Sequence, residues 1–389
     1  MTADRPDAVA SPSRVAAVAE LDALVRADLR GRTAYGAPQL DVPIPLNVNE
    51  NSYPVPDAVV QDIIAAVAQV APTLNRYPDR EFTDLRVALA GYLSRSGTDI
   101  TPDQVWAGNG SNEVLLHLLQ AFGGPDRVAL GFTPSYSMHP IITATTGTAW
   151  IDGQRHAWSD QAPFEVTDAE AVAQVVAADP NVVFLCSPNN PTGTALPLTL
   201  IEAVYDAAPH AIIIVDEAYA EFARKGTRSA LTLLAGRPRL VVTRTMSKAF
   251  ALAGGRLGFL AADPALIDKL RLARMPYHLS APAQAIALAA LRHADEMLAT
   301  VDAIRGQRDR IVAELPGLGL RPVASDANFV LVGGLADAAA TWQALLERGI
   351  LVRDVGIPHH LRVTAGTEAE TTAFLRALTQ ILNLAEPEA

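Results

Sequence analysis

Apolar positions along this chain follow two periods that alternate from the second quarter onward. Compact, largely apolar runs at Arg127–Gly131, Val182–Cys186, His210–Val215 and Leu240–Thr245 predict strands buried on both faces. Stretches with helical spacing separate them, so the pattern predicts a mostly parallel α/β sheet covered by helices. Near Ala281 the pattern changes. Two long helical stretches run to about Leu315, after which short strands at Asn328–Val332, Ile350–Arg353 and Leu361–Thr364 alternate with helices at Ala336–Arg348 and Thr367–Leu384. Thr367 followed three residues later by Glu370 is a capping box that opens the last helix. At the other end, Val15–Leu29 has helical apolar spacing and leads into a Pro-punctuated extended stretch over Ala37–Pro56. The expected organisation is an N-terminal segment 1–45 packing with a small domain, a large domain 46–280, and a small α+β domain 281–389.

Composition narrows the function classes. With 389 residues, 50% hydrophobic and 19% charged, the chain is expected to form an ordered globular protein with a sizeable core. A formal net charge of −11 is the wrong sign for gripping nucleic acid through its phosphates. An anionic small molecule would instead need a local cluster of arginines. Met1–Ala10 contains Asp4, Arg5, Pro6 and Asp7 without an apolar stretch, so neither a secretory signal nor a transit peptide is expected. No apolar run approaches the length of a membrane span. The single cysteine, Cys186, excludes an intrachain disulfide, agrees with a reducing cytoplasm, and reads as a small buried hydrophobe within its apolar run. Adjacent His359 and His360 would point to opposite faces of a strand and cannot easily share an ion, so no metal is assigned.

The chemistry is concentrated just after the predicted strands, where ligands collect in open α/β sheets. Ser187-Pro188-Asn189-Asn190-Pro191-Thr192-Gly193 follows one strand, Asp216-Glu217-Ala218-Tyr219 the next, and Thr245-Met246-Ser247-Lys248-Ala249-Phe250 ends a third. Gly108-Asn109-Gly110-Ser111-Asn112 precedes the helical stretch Glu113–Phe122, and its glycines let backbone approach an anion at a helix N-terminus. Any one of these segments is weak alone: Thr245, Ser247 and Asn190 could equally satisfy turn backbones. Together they supply a phosphate cradle, a carboxylate, a phenol, an amide and a lysine, the groups a pyridoxal 5'-phosphate site requires. A lysine at a strand end can carry the cofactor aldehyde and later shuttle a proton, and a buried Asp216 would keep the pyridine nitrogen protonated.

In this order the segments resemble the fold-type-I pyridoxal-phosphate aminotransferases, and more narrowly the class II branch that contains histidinol-phosphate aminotransferase. The likeness runs through most of the chain. It also takes in Leu46-Asn47-Val48-Asn49-Glu50-Asn51, Arg76-Tyr77-Pro78-Asp79, Pro134-Ser135-Tyr136-Ser137-Met138 and Ala253-Gly254-Gly255-Arg256-Leu257-Gly258. Near the C-terminus Gly349–Asp354 and Leu361-Arg362-Val363-Thr364 match as well. The resemblance implies that Lys248 is the Schiff-base lysine, that Asp216 pairs with the pyridine nitrogen, and that Tyr219 and Asn190 hydrogen-bond the cofactor's phenolic oxygen. It implies Tyr136 stacking on the ring, and Ser111, Asn112, Thr245, Ser247 and Arg256 around the phosphate. Tyr77 would reach across a dimer interface to the partner's cofactor phosphate, giving a homodimer with shared sites.

At the substrate end, Arg362 corresponds to the family's carboxylate-binding arginine, whose planar fork matches that anion with two hydrogen bonds. Arg353 and Tyr35 match the histidinol-phosphate branch, the first as a second cation for a phosphate ester and the second as part of the imidazole pocket. Two positions depart from the pattern: Ser52 stands where the family has proline and Asn112 where it has an acid. The implied reaction passes an amino group from L-glutamate to imidazole acetol phosphate, giving L-histidinol phosphate and 2-oxoglutarate. An aromatic amino-acid aminotransferase, a decarboxylase of a phosphorylated amino acid and a non-enzymatic cofactor-sensing regulator are the alternatives. The last would need an attached basic DNA-binding domain.

Overall fold

A seven-stranded sheet forms the larger part of the computed structural model, which describes residues 18, 20–32, 35, 36, 38–156 and 164–385. Its strands are β2 (Val105–Gly108), β3 (Val128–Thr133), β4 (Ala149–Gln154), β5 (Val182–Cys186), β6 (Ile212–Asp216), β7 (Leu240–Thr245) and β8 (Gly258–Ala262). A two-residue strand, β1 (Ile44–Pro45), precedes them. The sheet order is β2-β8-β7-β6-β5-β3-β4, and only β8 runs against its neighbours. Every residue of β5 and β7 is buried, as a sheet covered on both faces requires.

The covering helices begin with α1 (Asp57–Val70), α2 (Thr83–Ser94), α3 (Ser111–Phe122), α4 (Met138–Thr145), α5 (Asp168–Ala178) and α6 (Leu198–Ala207). They continue with α7 (Pro264–Ala273), α8 (Ala281–Arg292) and α9 (Ala294–Glu314). Their starts follow local chemistry: the hydroxyl of Thr167 accepts from the Glu170 amide while the Glu170 carboxylate accepts from the Thr167 amide, closing a capping box on α5.

A second, antiparallel sheet is built from β9 (Arg321–Pro322), β10 (Phe329–Gly333) and β12 (Leu361–Thr364), in the order β12-β10-β9. Strand β1 pairs in parallel with β11 (Ile350–Leu351). The backbone continues as a tie between them, with Leu46 N donating to Leu351 O at 2.8 Å and Thr364 N donating to Leu46 O at 3.0 Å. Helices α10 (Ala338–Leu346) and α11 (Glu368–Ala385) cover this sheet. The capping box read from the sequence is present on α11: Thr367 N donates to Glu370 Oε2 at 2.7 Å, and Glu370 N donates to Thr367 Oγ1 at 3.3 Å.

Two large hydrophobic cores result, one built on the large sheet and one centred on Phe329, Val330, Ile304 and Phe374, beside a small third cluster of Phe164, Val323 and Leu331. Helix α8, placed in the smaller domain by the sequence reading, buries Ala287 and Ala290 in the first core. Residues 1–38 and 39–389 are two separate units. Of the helix expected over Val15–Leu29, residues 18 and 20–24 are helical, and 15–17 and 19 lie outside the described residues.

Candidate active site

Parallel strands β5, β6 and β7 end side by side, and the segments leaving their carboxyl ends converge. Strand β6 finishes on Asp216, 2% exposed. Its Oδ1 accepts from Thr243 Oγ1 at 3.0 Å, and its Oδ2 lies 3.0 Å from His139 Nε2. Against an ionised carboxylate, which only accepts, the imidazole donates from Nε2. His139 comes from α4; its ring stacks on Phe184 at 4.6 Å and meets Tyr136 edge-on at 5.3 Å. Asp216 is thus held in one orientation deep under the site by two hydrogen bonds.

Lys248 follows β7 on a turn. Its Nζ donates to Val48 O at 3.0 Å and lies 6.0 Å from the centre of the Tyr219 ring. No carboxylate pairs with it among the described residues. Burial lowers its pKa to about 8, with Arg362 and Arg256 adding to the effect and Glu50 opposing it. An amine near pKa 8 is neutral about one-tenth of the time at pH 7, against roughly one part in three thousand for an ordinary lysine. Lys248 is therefore a competent nucleophile for an aldehyde.

An anion cradle stands beside it. Helix α3 opens at Ser111 after Gly110, whose φ is +85°. A Cβ on Gly110 would run into the Arg256 guanidinium, and one on Gly258 would fall on the Ser111 backbone nitrogen. Both glycines keep the helix start and the arginine close together. Arg256 Nη1 lies 3.5 Å from Ser247 Oγ, and Ser247 N donates to Thr245 Oγ1 at 3.1 Å. Tyr136 OH reaches Asn112 Oδ1 at 3.4 Å. An amine without a counter-charge, a buried carboxylate and a cradle of amides, hydroxyls and one arginine fit pyridoxal phosphate. They match its aldehyde, ring nitrogen and phosphate in turn.

The small sheet brings the second cationic group. Buried Arg362 on β12 donates from Nη1 to Asn190 Oδ1 and from Nη2 to Asn47 O, both at 2.6 Å. Arg353 and Arg362 exchange both backbone hydrogen bonds, at 3.0 and 2.9 Å, as an antiparallel pair. Directly opposed residues project to the same face, so the two guanidinium groups start from neighbouring positions. The Tyr219 phenol accepts from Asn49 Nδ2 at 3.0 Å. Burial pushes its pKa up to about 12, against the lowering influence of Arg362 and the Asn49 hydrogen bond.

Of the residues singled out in the sequence, Lys248, Asp216, Tyr219, Asn190, Arg362, Arg353, Ser111, Asn112, Tyr136, Thr245, Ser247 and Arg256 lie around these strand ends and the small-sheet segments facing them. Tyr77 does not join them within the chain. It is 80% exposed and stacks on Tyr277 at 4.5 Å, beside a surface cavity of about 410 Å³ that Arg76 and Asp79 also line. Tyr35 is 48% exposed and belongs to the separate unit of residues 1–38. Three residues not singled out are part of the site: His139, Thr243 and Asn49. His139 had a signal, one helical turn beyond Tyr136 in the segment that follows β3.

The family profile described as aminotransferase class I and II matches residues 41–378. Histidinol-phosphate aminotransferase of Paenarthrobacter aurescens is 59% identical over 365 residues, covering 93% of this chain and 96% of that one. The Frankia casuarinae protein of the same name is 57% identical over 362 residues, covering 92% and 90%. Among solved structures, histidinol-phosphate aminotransferase from Sinorhizobium meliloti in complex with pyridoxal 5'-phosphate superposes with a TM-score of 0.76 at 23% identity, over 89% of this chain and 92% of that one. A Thermus thermophilus aspartate aminotransferase mutant superposes at 0.78 with 22% identity, over 92% and 99%. The fold is that of the fold-type-I transferases, and the chain belongs to the class I and II aminotransferases.

Proposed function

We propose that this aminotransferase uses pyridoxal 5'-phosphate on Lys248 to pass an amino group from L-glutamate to imidazole acetol phosphate, yielding L-histidinol phosphate and 2-oxoglutarate. The observation that carries the substrate reading is the pair of arginines, Arg353 and Arg362, on directly opposed positions of one sheet face. Like charges so placed destabilise a sheet, and the Arg353 guanidinium has no partner among the described residues. A phosphate dianion relieves that repulsion, and the carboxylate of glutamate needs only the fork of Arg362.

When bound, the cofactor supplies an aldehyde for the amino group and a ring that withdraws electrons from the substrate's α-carbon. The chain's own groups do the rest. Lys248 would move a proton to and from that carbon. Asp216, gripped by His139 and Thr243, keeps a negative charge against the ring nitrogen. Tyr219 and Asn190 address the phenolic oxygen, and Tyr136 stacks on the ring. Ser111, Asn112, Thr245, Ser247 and Arg256 hold the phosphate at the start of α3.

The assembly is a homodimer in which Tyr77 completes the partner's phosphate site; its exposure and the adjoining cavity support that reading. The division into a large domain and a small one has the two large hydrophobic cores as its support. No helix among the described residues is long and apolar enough to cross a membrane. We place the enzyme in the cytoplasm, where its one cysteine, buried Cys186, stays reduced.

An amino-transfer assay on the cofactor-loaded protein over a panel of donors tests the reading. Histidinol phosphate with 2-oxoglutarate should be turned over with a kcat/KM at least about 100-fold above phenylalanine, the discrimination a buried charged contact provides. Preference for phenylalanine would make the enzyme an aromatic aminotransferase. Release of carbon dioxide without any need for 2-oxoglutarate would make it a decarboxylase.

A further inference from the structure

Asn49, Thr364 and Tyr219 form a hydrogen-bond chain whose direction is fixed by chemistry. Asn49 N–H donates to Thr364 Oγ1 at 3.1 Å, and the Thr364 hydroxyl donates to Asn49 Oδ1 at 3.1 Å. With Oδ1 occupied as the acceptor, Nδ2 faces the Tyr219 oxygen and donates to it at 3.0 Å. The opposite amide orientation would place Nδ2 on Thr364 and leave that hydroxyl proton without an acceptor, at a residue only 2% exposed. The Tyr219 oxygen thus accepts from Asn49, and its own proton must point elsewhere.

The backbone is shaped for this arrangement. Asn49 has φ +57°, a left-handed conformation in which one residue offers both its N–H and its side chain to the same hydroxyl. Asn328 Nδ2 donates to Asn49 O at 3.1 Å and holds that peptide in place. Thr364 is the last residue of the strand that carries Arg362, so the chain also ties the phenol to the small sheet.

We propose that Asn49 and Thr364 are positioning residues that set the direction of the Tyr219 hydroxyl, turning its proton toward the Lys248 side of the site. There it donates to the cofactor's phenolic oxygen. The inference rests on the reading of Tyr219 as that oxygen's partner, and its test separates the two.

The readout is the pH midpoint of the visible absorbance change of bound pyridoxal phosphate, measured on holoenzyme without substrate. A donor to an anionic oxygen stabilises the unprotonated chromophore, so its loss raises the midpoint. Tyr219→Phe should raise it by about one pH unit, the worth of one hydrogen bond. Asn49→Gly, which tolerates the left-handed backbone, should raise it by about half a unit and add nothing when combined with Tyr219→Phe. Thr364→Val should shift it in the same direction, and Thr364→Ser, which keeps the hydroxyl, should restore the native midpoint. The charges acting on Lys248, those of Arg362, Arg256 and Glu50, are unchanged in every variant.

If Tyr219→Phe shifts the midpoint while Asn49→Gly and Thr364→Val do not, the positioning role is overturned and the Tyr219 reading stands. An Asn49→Gly shift of equal size with and without the phenol also overturns it. An unmoved midpoint in Tyr219→Phe itself removes the Tyr219 reading, and the inference with it.

Discussion

The Arg362 guanidinium rests against the Asn190 side-chain oxygen at 2.6 Å, joining the small sheet to the loop that leaves β5. An arginine held this way is already aimed, its fork spread between Asn190 and the carbonyl of Asn47. An incoming anion takes over donors that are buried and oriented beforehand, so little ordering cost remains to be met on binding.

Replacing Arg362 with lysine keeps the charge and removes the planar fork. Losing hydrogen bonds to a charged group costs about 1.5–3 kcal/mol, so KM for glutamate should rise roughly 10- to 150-fold, with a smaller change in kcat. Steady-state kinetics with glutamate as the varied substrate check this. A change confined to kcat would place Arg362 away from the substrate's anion.

Arg353→Ala removes only the second cation. KM for histidinol phosphate should rise about tenfold or more, with glutamate affected by less than about threefold. Parallel kinetics with the two donors measure the difference. Equal effects would detach Arg353 from phosphate recognition.

Lys248 carries its burial as a stability penalty with a definite pH window. Its pKa is lowered to about 8 in the folded chain from 10.5, so between these values the unfolded chain binds more protons and stability rises with pH. The penalty is full below about pH 8 and disappears as pH climbs toward the ordinary lysine value. Lys248→Met in cofactor-free protein should therefore be more stable at pH 7, by about 2 kcal/mol after allowing for the side chain's partial exposure. The advantage should fade by pH 10. Urea unfolding at both pH values checks the sign, and an advantage growing with pH would contradict it.

His139→Phe keeps a ring to stack on Phe184 and removes the nitrogen 3.0 Å from Asp216. Asp216 then retains only the Thr243 hydroxyl. Leaving a buried acceptor short of one partner costs about 1–3 kcal/mol, so cofactor affinity and kcat/KM should each fall roughly tenfold. Equilibrium titration with pyridoxal phosphate and steady-state assays measure the two losses, and native cofactor affinity would show that His139 does not hold the carboxylate.

Much of the fold was legible because its central strands state themselves locally. Val182–Cys186 and Leu240–Thr245 are buried along their whole length and coincide with β5 and β7 end to end. The strands that escaped notice lack that signal. β2 is four residues long, β8 is Gly-Phe-Leu-Ala-Ala with no β-branched residue, and β4 is an edge strand with most of its residues exposed. Within the site, residues carried by short motifs, such as Lys248, Asp216 and Arg256, could be read from their neighbours. Asn49 could not, and His139 only by its spacing from Tyr136, because the partners that define them are distant in the chain. Asn49 meets Thr364 across 315 residues and His139 meets Asp216 across 77.

The chain has three lysines, Lys225, Lys248 and Lys269, and Lys225 and Lys269 are exposed. That makes one measurement decisive: borohydride reduction of the cofactor-loaded protein, followed by digestion and mass mapping. A pyridoxyl group is expected on the peptide containing Lys248 and on no other. Label on Lys225 or Lys269, or an unlabelled Lys248 in protein that has bound the cofactor, would contradict it.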